Sequence, residues 1–160
     1  MAYHDELMSQ AFELLGKDPS QQTQADLRRS VSSAYYAVFH LLISEAISHW
    51  DLPGSRNTMA RMFEHRMMKT VSRRFADPYL YPFDKEDSKT VGALRDLATA
   101  FVQLQDNRHI ADYDISTSWT KAQAFNRVES AGKAFSLWQS IRHEQIAQDY
   151  LVALLIKPRD

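Results

Sequence analysis

Arg108, His109, Asp112 and Tyr113 stand within one short polar stretch and bring together different groups that can hold a charge or move a proton. Arg108 and Asp112 are four apart, so a helix running through them puts both on one face, either as a helix-ending ion pair or as part of a site. His40 and His65 fall inside apolar stripes, where a histidine is more often a hydrogen-bonded core residue than a catalyst. Tyr36 adds an aromatic ring with a polar tip. Arg66, Lys69 and Arg73 follow one another at steps of three and four and share a helix face. That face is either a solvated surface partly neutralised by Asp84, Glu86 and Asp87, or a set of RNA-backbone contacts of the kind that arginine and lysine supply.

Much other chemistry is missing. The chain has no cysteine, hence no disulfide, zinc-thiolate site or cysteine nucleophile, which fits a cytoplasmic protein better than a small secreted one. It has no Gly-rich phosphate loop, no Gly-x-Ser-x-Gly elbow and no His-Glu-x-x-His pair. Glu45 is followed by histidine at 49 rather than 48, so the Glu-x-x-His element of a di-iron bundle is absent too, and no metal or cofactor is implied. A formal net charge of −1 gives no global reason for a nucleic-acid or membrane partner, and no apolar run approaches the roughly 20 residues that span a bilayer.

The elements that must position these groups are all helical. The central one runs from Ala25 to Trp50, with Leu27, Val31, Ala34/Tyr35, Val38, Leu41/Leu42 and Ala46 as its stripe. Thr23 or Ser20 caps it, and Asp51-Leu-Pro-Gly54 ends it in a reversal. A first helix at about 3 to 15 precedes it, a third at about 56 to 75 carries the basic face, and a fourth at about 88 to 108 is capped by Asp87 or Ser88. Between the third and fourth, an irregular connection lays Tyr79, Tyr81 and Phe83 over the bundle. The last helix starts at the capping box Thr120-Lys-Ala-Gln123 and runs on toward Leu155, about 50 Å at 1.5 Å per residue. Its nearly continuous apolar end, from Tyr150 to Ile156, must pack on a second subunit or back on the first helix, and Lys157 to Asp160 form a polar tail. With 160 residues and no strand pattern, the chain reads as a single all-α domain, a mostly antiparallel five-helix bundle.

Ser33-Ala-Tyr-Tyr-Ala-Val-Phe-His40, then Glu64-His65-Arg66 opening a segment that ends at Phe75, then Leu104 to Arg108 and Ala111-Asp112-Tyr113 before a long final helix, resembles the HEPN domain superfamily (higher eukaryotes and prokaryotes nucleotide-binding) over about residues 25 to 140. The resemblance implies a HEPN-like helical bundle, a homodimer with facing sites, and metal-independent RNA cleavage or a role in toxin–antitoxin or stress and defence systems, where a nucleotidyltransferase-like protein would be the partner. Catalytic members pair an arginine with a histidine that follows after four to six intervening residues, a cation for the developing phosphorane charge and a base for the ribose 2′-hydroxyl. Here four residues follow Arg108 and the next is Tyr113, a poor base at neutral pH. The resemblance therefore implies a non-catalytic module that binds RNA, a nucleotide or a protein partner through Tyr36, His65, Arg108, Asp112 and Tyr113. The alternative is an endoribonuclease in which His65 or His109 replaces the missing histidine beside Arg108.

Overall fold

The computed structural model describes residues 1–156, and every regular element among them is an α-helix. Seven helices follow one another: α1 (Tyr3–Leu15), α2 (Gln24–Ile47), α3 (Pro53–Ala60), α4 (His65–Ala76), α5 (Ser88–Tyr113), α6 (Lys121–Ile141) and α7 (Gln145–Leu155). The polar tail expected at 157 to 160 lies outside the described residues.

Helix α2 is the centre, as its aromatic content predicts. It packs against α1, α5, α6, α7 and α3. Buried positions surround it on nearly every side over Ser30–Tyr35 and Ala37–Phe39, where an ordinary surface helix would bury one stripe. Small residues allow this: Ser30, Ser32 and Ser33 let neighbours approach closely, and their hydroxyls are satisfied locally or across helices, Ser30 donating to the Leu27 carbonyl at 2.7 Å and Ser33 to Gln10 Oε1 at 2.8 Å. Around α2 the core holds Phe101, Leu94, Leu97 and Leu104 from α5, and Trp138 from α6. Each such side chain taken from water stabilises by about 1.5–3 kcal/mol.

The N-terminal signals behave as the sequence indicates. Thr23, Asp87 and Thr120 each accept a backbone N–H from the third residue of their helix, and Thr23 and Thr120 do so within reciprocal capping boxes.

Several expectations need correction, the five-helix count among them, since seven helices form among the described residues. The basic segment is two helices: the chain breaks between Ala60 and His65, a turn that sends Phe63 into the core. Pro53 opens α3 at its first position instead of serving a reversal, because a first-turn residue has no helical N–H bond to lose. Helix α5 continues past residue 108 to Tyr113. The final segment also breaks. Arg142 ends α6, and Glu144 adopts extended backbone (φ −81°, ψ 146°), so α7 turns back across the bundle. Its apolar end packs on α4 and α2 of the same chain, not on α1, with Ile146, Tyr150, Leu151 and Leu154 buried. Tyr150 and Ser72 of α4, both fully buried, share a hydroxyl–hydroxyl bond of 2.6 Å.

In the α4–α5 connection Tyr81 and Phe83 do lie over the bundle, Tyr81 stacking on Phe75 at 4.2 Å, whereas Tyr79 is 93 % exposed. Arg95 pins this loop by donating to the carbonyls of Phe75 (2.9 Å) and Tyr81 (3.0 Å).

Candidate functional site

The C-terminal turns of α5 are fixed from outside the helix. Arg28, near the start of α2, donates to the carbonyls of Ala111 (3.0 Å), Asp114 (2.9 Å) and Thr117. One turn earlier Gln24 exchanges two hydrogen bonds with the Trp119 backbone, at 2.7 and 2.8 Å. These contacts satisfy carbonyls that a helix end leaves unpaired and hold the α5–α6 connection against α2.

On the face of α5 so fixed, Arg108 reaches toward α2. Its guanidinium carbon lies 5.2 Å from the ring centre of Tyr35 and 5.8 Å from that of Tyr36, both within cation–π range. The side chain is only 11 % exposed. The expected four-residue pairing exists in loose form: Nη1 stands 3.8 Å from Asp112 Oδ2, beyond hydrogen-bond length. That same carboxylate oxygen accepts from Ser32 at 3.3 Å. Arg108 Nε is buried and has no hydrogen-bond partner among the described residues. The cation is thus held mainly by aromatic faces and incompletely neutralised.

His65, the first residue of α4, enters the same cluster. Its ring stacks on Phe39 at 4.1 Å, meets the Tyr36 ring edge-on at 5.7 Å, and its Nδ1 lies 2.7 Å from the Tyr35 hydroxyl. Burial, then the Arg108 charge, then His40 hold its pKa below the ordinary imidazole value. Burial raises the Tyr35 hydroxyl well above the usual phenol range. The bond therefore joins two neutral groups. With Tyr35 as donor, Nε2 of His65 carries the proton; with Nδ1–H as donor to the Tyr35 oxygen, Nε2 has a free lone pair and His65 can act as a base.

The cluster gathers four of the residues expected from sequence: Tyr36, His65, Arg108 and Asp112. His109 and Tyr113 turn away onto the adjoining, exposed side of α5, their rings 5.0 Å apart, because consecutive helical residues point about 100° apart. Lys69 forms an ion pair with Asp106 of α5, so one cation of the basic face is neutralised within the chain. Arg66 and Arg73 are exposed; Arg66 borders a pocket lined also by Glu64, Met67, Thr70, Val71 and Arg74, to which Arg108 does not contribute.

Sequence reasoning places Tyr35 in the apolar stripe of α2, yet it is the residue that links Arg108 to His65. Phe39 and Ser32 also belong to the cluster. Their one sequence signal is that Ser32, Tyr35/Tyr36 and Phe39 recur at three and four, a row continuous with Arg28.

No family model, curated protein or solved structure matches this chain. Among the described residues no group of three or more His, Asp or Glu is arranged to hold a metal ion, and no helix is long and apolar enough to cross a membrane.

Proposed function

We propose that this protein is a non-catalytic HEPN-like module that binds RNA or a nucleotide through a phosphate held at Arg108. The observation that carries the reading is the state of that arginine: fixed over Tyr35 and Tyr36, with its nearest carboxylate oxygen at 3.8 Å. A planar guanidinium with donors to spare is suited to a phosphate, and a phosphate restores the charge compensation that Asp112 only partly gives. Asp112, which accepts from Ser32, stands 3.8 Å from the guanidinium and helps to orient it. On this reading the protein acts in the cytoplasm as a homodimer within a toxin–antitoxin or stress-response system, and Arg66 and Arg73 add weaker phosphate contacts.

A second reading has its own observation. His65, kept neutral and bonded to Tyr35, shares that tyrosine with Arg108, so a base and a cation stand in one cluster of one chain. That supports a metal-independent endoribonuclease with His65 as the nonstandard histidine.

One experiment separates the two. Purified protein is incubated with total bacterial RNA in EDTA beside Arg108→Ala and His65→Ala, and both RNA retention and fragmentation are read. Retention without cleavage that is lost in Arg108→Ala is the expected result. Cleavage lost in both variants overturns the non-catalytic reading in favour of the nuclease. Neither retention nor cleavage overturns both and leaves a protein partner to be sought at the same arginine.

A further inference from the structure

Beyond Arg108 the aromatic cluster does not stop at His65. Tyr36, half-buried on α2, faces His40 one turn on, their rings 6.4 Å apart and inclined by 29°. His40 in turn meets the ring of Tyr3, on the first turn of α1, edge-on at 4.8 Å. Tyr3 is 58 % exposed, although a large aromatic ring gains by burial. Three rings from two helices thus continue in steps from the held cation: Tyr36, His40, Tyr3.

We infer that this strip is a stacking platform for the bases of a single-stranded nucleic acid whose phosphate sits on Arg108. The inference rests on the phosphate reading above and narrows it to one ligand class. Several features favour it. The strip begins at the one partly compensated arginine of the cluster and ends in an exposed ring, so a strand anchored by a phosphate at one end has aromatic faces and edges to follow toward the other. Base stacking on aromatic side chains tolerates any sequence, and only an unpaired strand can splay its bases onto such rings; a duplex keeps its base faces buried.

Charge along the strip points the same way. His40 and His65 are held below the usual imidazole pKa, the first by burial and His4, the second by burial, Arg108 and His40. Arg108 is the cation of the strip, so a phosphate gains most at that end and the rings beyond it suit uncharged bases. A mononucleotide would use one end alone, so an oligonucleotide is the better fit.

The test is fluorescence anisotropy of the full chain with a labelled short single-stranded RNA, the same strand in a duplex, and a competing mononucleotide, at two salt concentrations. Parent, Tyr3→Ala, Tyr3→Phe and Arg108→Ala are compared; Tyr3 is exposed, so its variants report on ligand more than on folding. Stacking predicts that Tyr3→Ala weakens single-strand binding by about 5- to 100-fold with the salt dependence unchanged, while Tyr3→Phe binds like the parent. Arg108→Ala weakens it as well and lowers the slope of log affinity on log salt by about 0.7. The duplex and the mononucleotide bind more weakly than the single strand. Parental affinity in Tyr3→Ala beside a weakened Arg108→Ala overturns the platform and leaves the phosphate site standing, as does equal affinity for duplex or mononucleotide. Failure of the parent to bind any of the three overturns the phosphate reading itself.

Discussion

The Tyr35 hydroxyl and Nδ1 of His65 lie 2.7 Å apart and join the most buried turn of α2 to the first residue of α4. Tyr35 is fully buried, so removing its hydroxyl leaves His65 without this partner. Tyr35→Phe is expected to lower unfolding free energy by about 1–2 kcal/mol in urea titrations. In a His65→Phe background the same change should cost little, because the bond is already gone. An equal cost in both backgrounds would mean that the hydroxyl acts through something other than His65.

His65 and its neighbour His40 set an acid limit. His40 and His65 have folded-state pKa values below the ordinary 6.5, largely through burial. As pH falls below 6.5 the unfolded chain takes up these protons before the folded one, so unfolding is favoured. Their contribution is complete above about pH 6.5 and is lost as pH falls through the folded values. Thermal melts from pH 7.5 to 5 should show declining Tm, and His40→Gln/His65→Gln should flatten that decline. The carboxylates Asp18, Asp26 and Asp114, held below the usual range chiefly by hydrogen bonds with Ser20, Lys17 and Ser116 respectively, act in a lower window and would not mimic it.

Arg108 is part of what keeps His65 neutral, second to burial. Arg108→Met keeps an aliphatic stem over the tyrosines but removes the charge. The His65 titration, followed by its ring protons in NMR, should move up toward 6.5 without reaching it, since burial persists. An unmoved titration would show that guanidinium and imidazole do not interact, and the cluster would lose its electrostatic unity.

How far the sequence reveals this site depends on which residues carry it. Thr23, Asp87 and Thr120 act within three residues of themselves, so their capping is legible. The Arg108–Asp112 spacing is equally local. The breaks at 61–64 and 142–144 are not, since neither contains Gly or Pro and apolar residues recur across both; Phe63 entering the core and α7 reaching α4 are tertiary gains that outweigh local helix propensity. Tyr35 is hidden for the opposite reason. Its burial matches the stripe, and only the approach of His65 and Arg108 to α2 shows that its hydroxyl and its ring face serve different partners.

Ser72 and Tyr150 test whether α7 belongs to the same cooperative unit. Their hydroxyls bond at 2.6 Å with neither exposed, and burial raises the Tyr150 hydroxyl well above the usual phenol range, so it stays protonated and either oxygen can donate. Ser72→Ala or Tyr150→Phe alone strands one buried hydroxyl, at about 1–3 kcal/mol. The double variant strands none and should cost less than the two single losses added. Strict additivity in denaturant titrations would place the bond outside the folded ensemble.

Arg28 holds the end of α5 through three carbonyls, those of Ala111, Asp114 and Thr117. Arg28→Met preserves much of the stem and removes every one of those donors. Charge-assisted bonds to backbone carbonyls contribute about 1.5–3 kcal/mol each when buried, but here water can replace part of the set, so a loss of about 2–3 kcal/mol is expected. Because the clamp lies between Arg108 and the start of α6, the local consequence should exceed the global one: amides from 112 to 119 should exchange with solvent far faster in the variant, while those of α2 around Val38 keep their protection. Ligand affinity at Arg108 should fall with them, since Asp112 and Arg108 share those last two turns. Faster exchange across the whole bundle instead would make Arg28 a general core support with no special relation to the site.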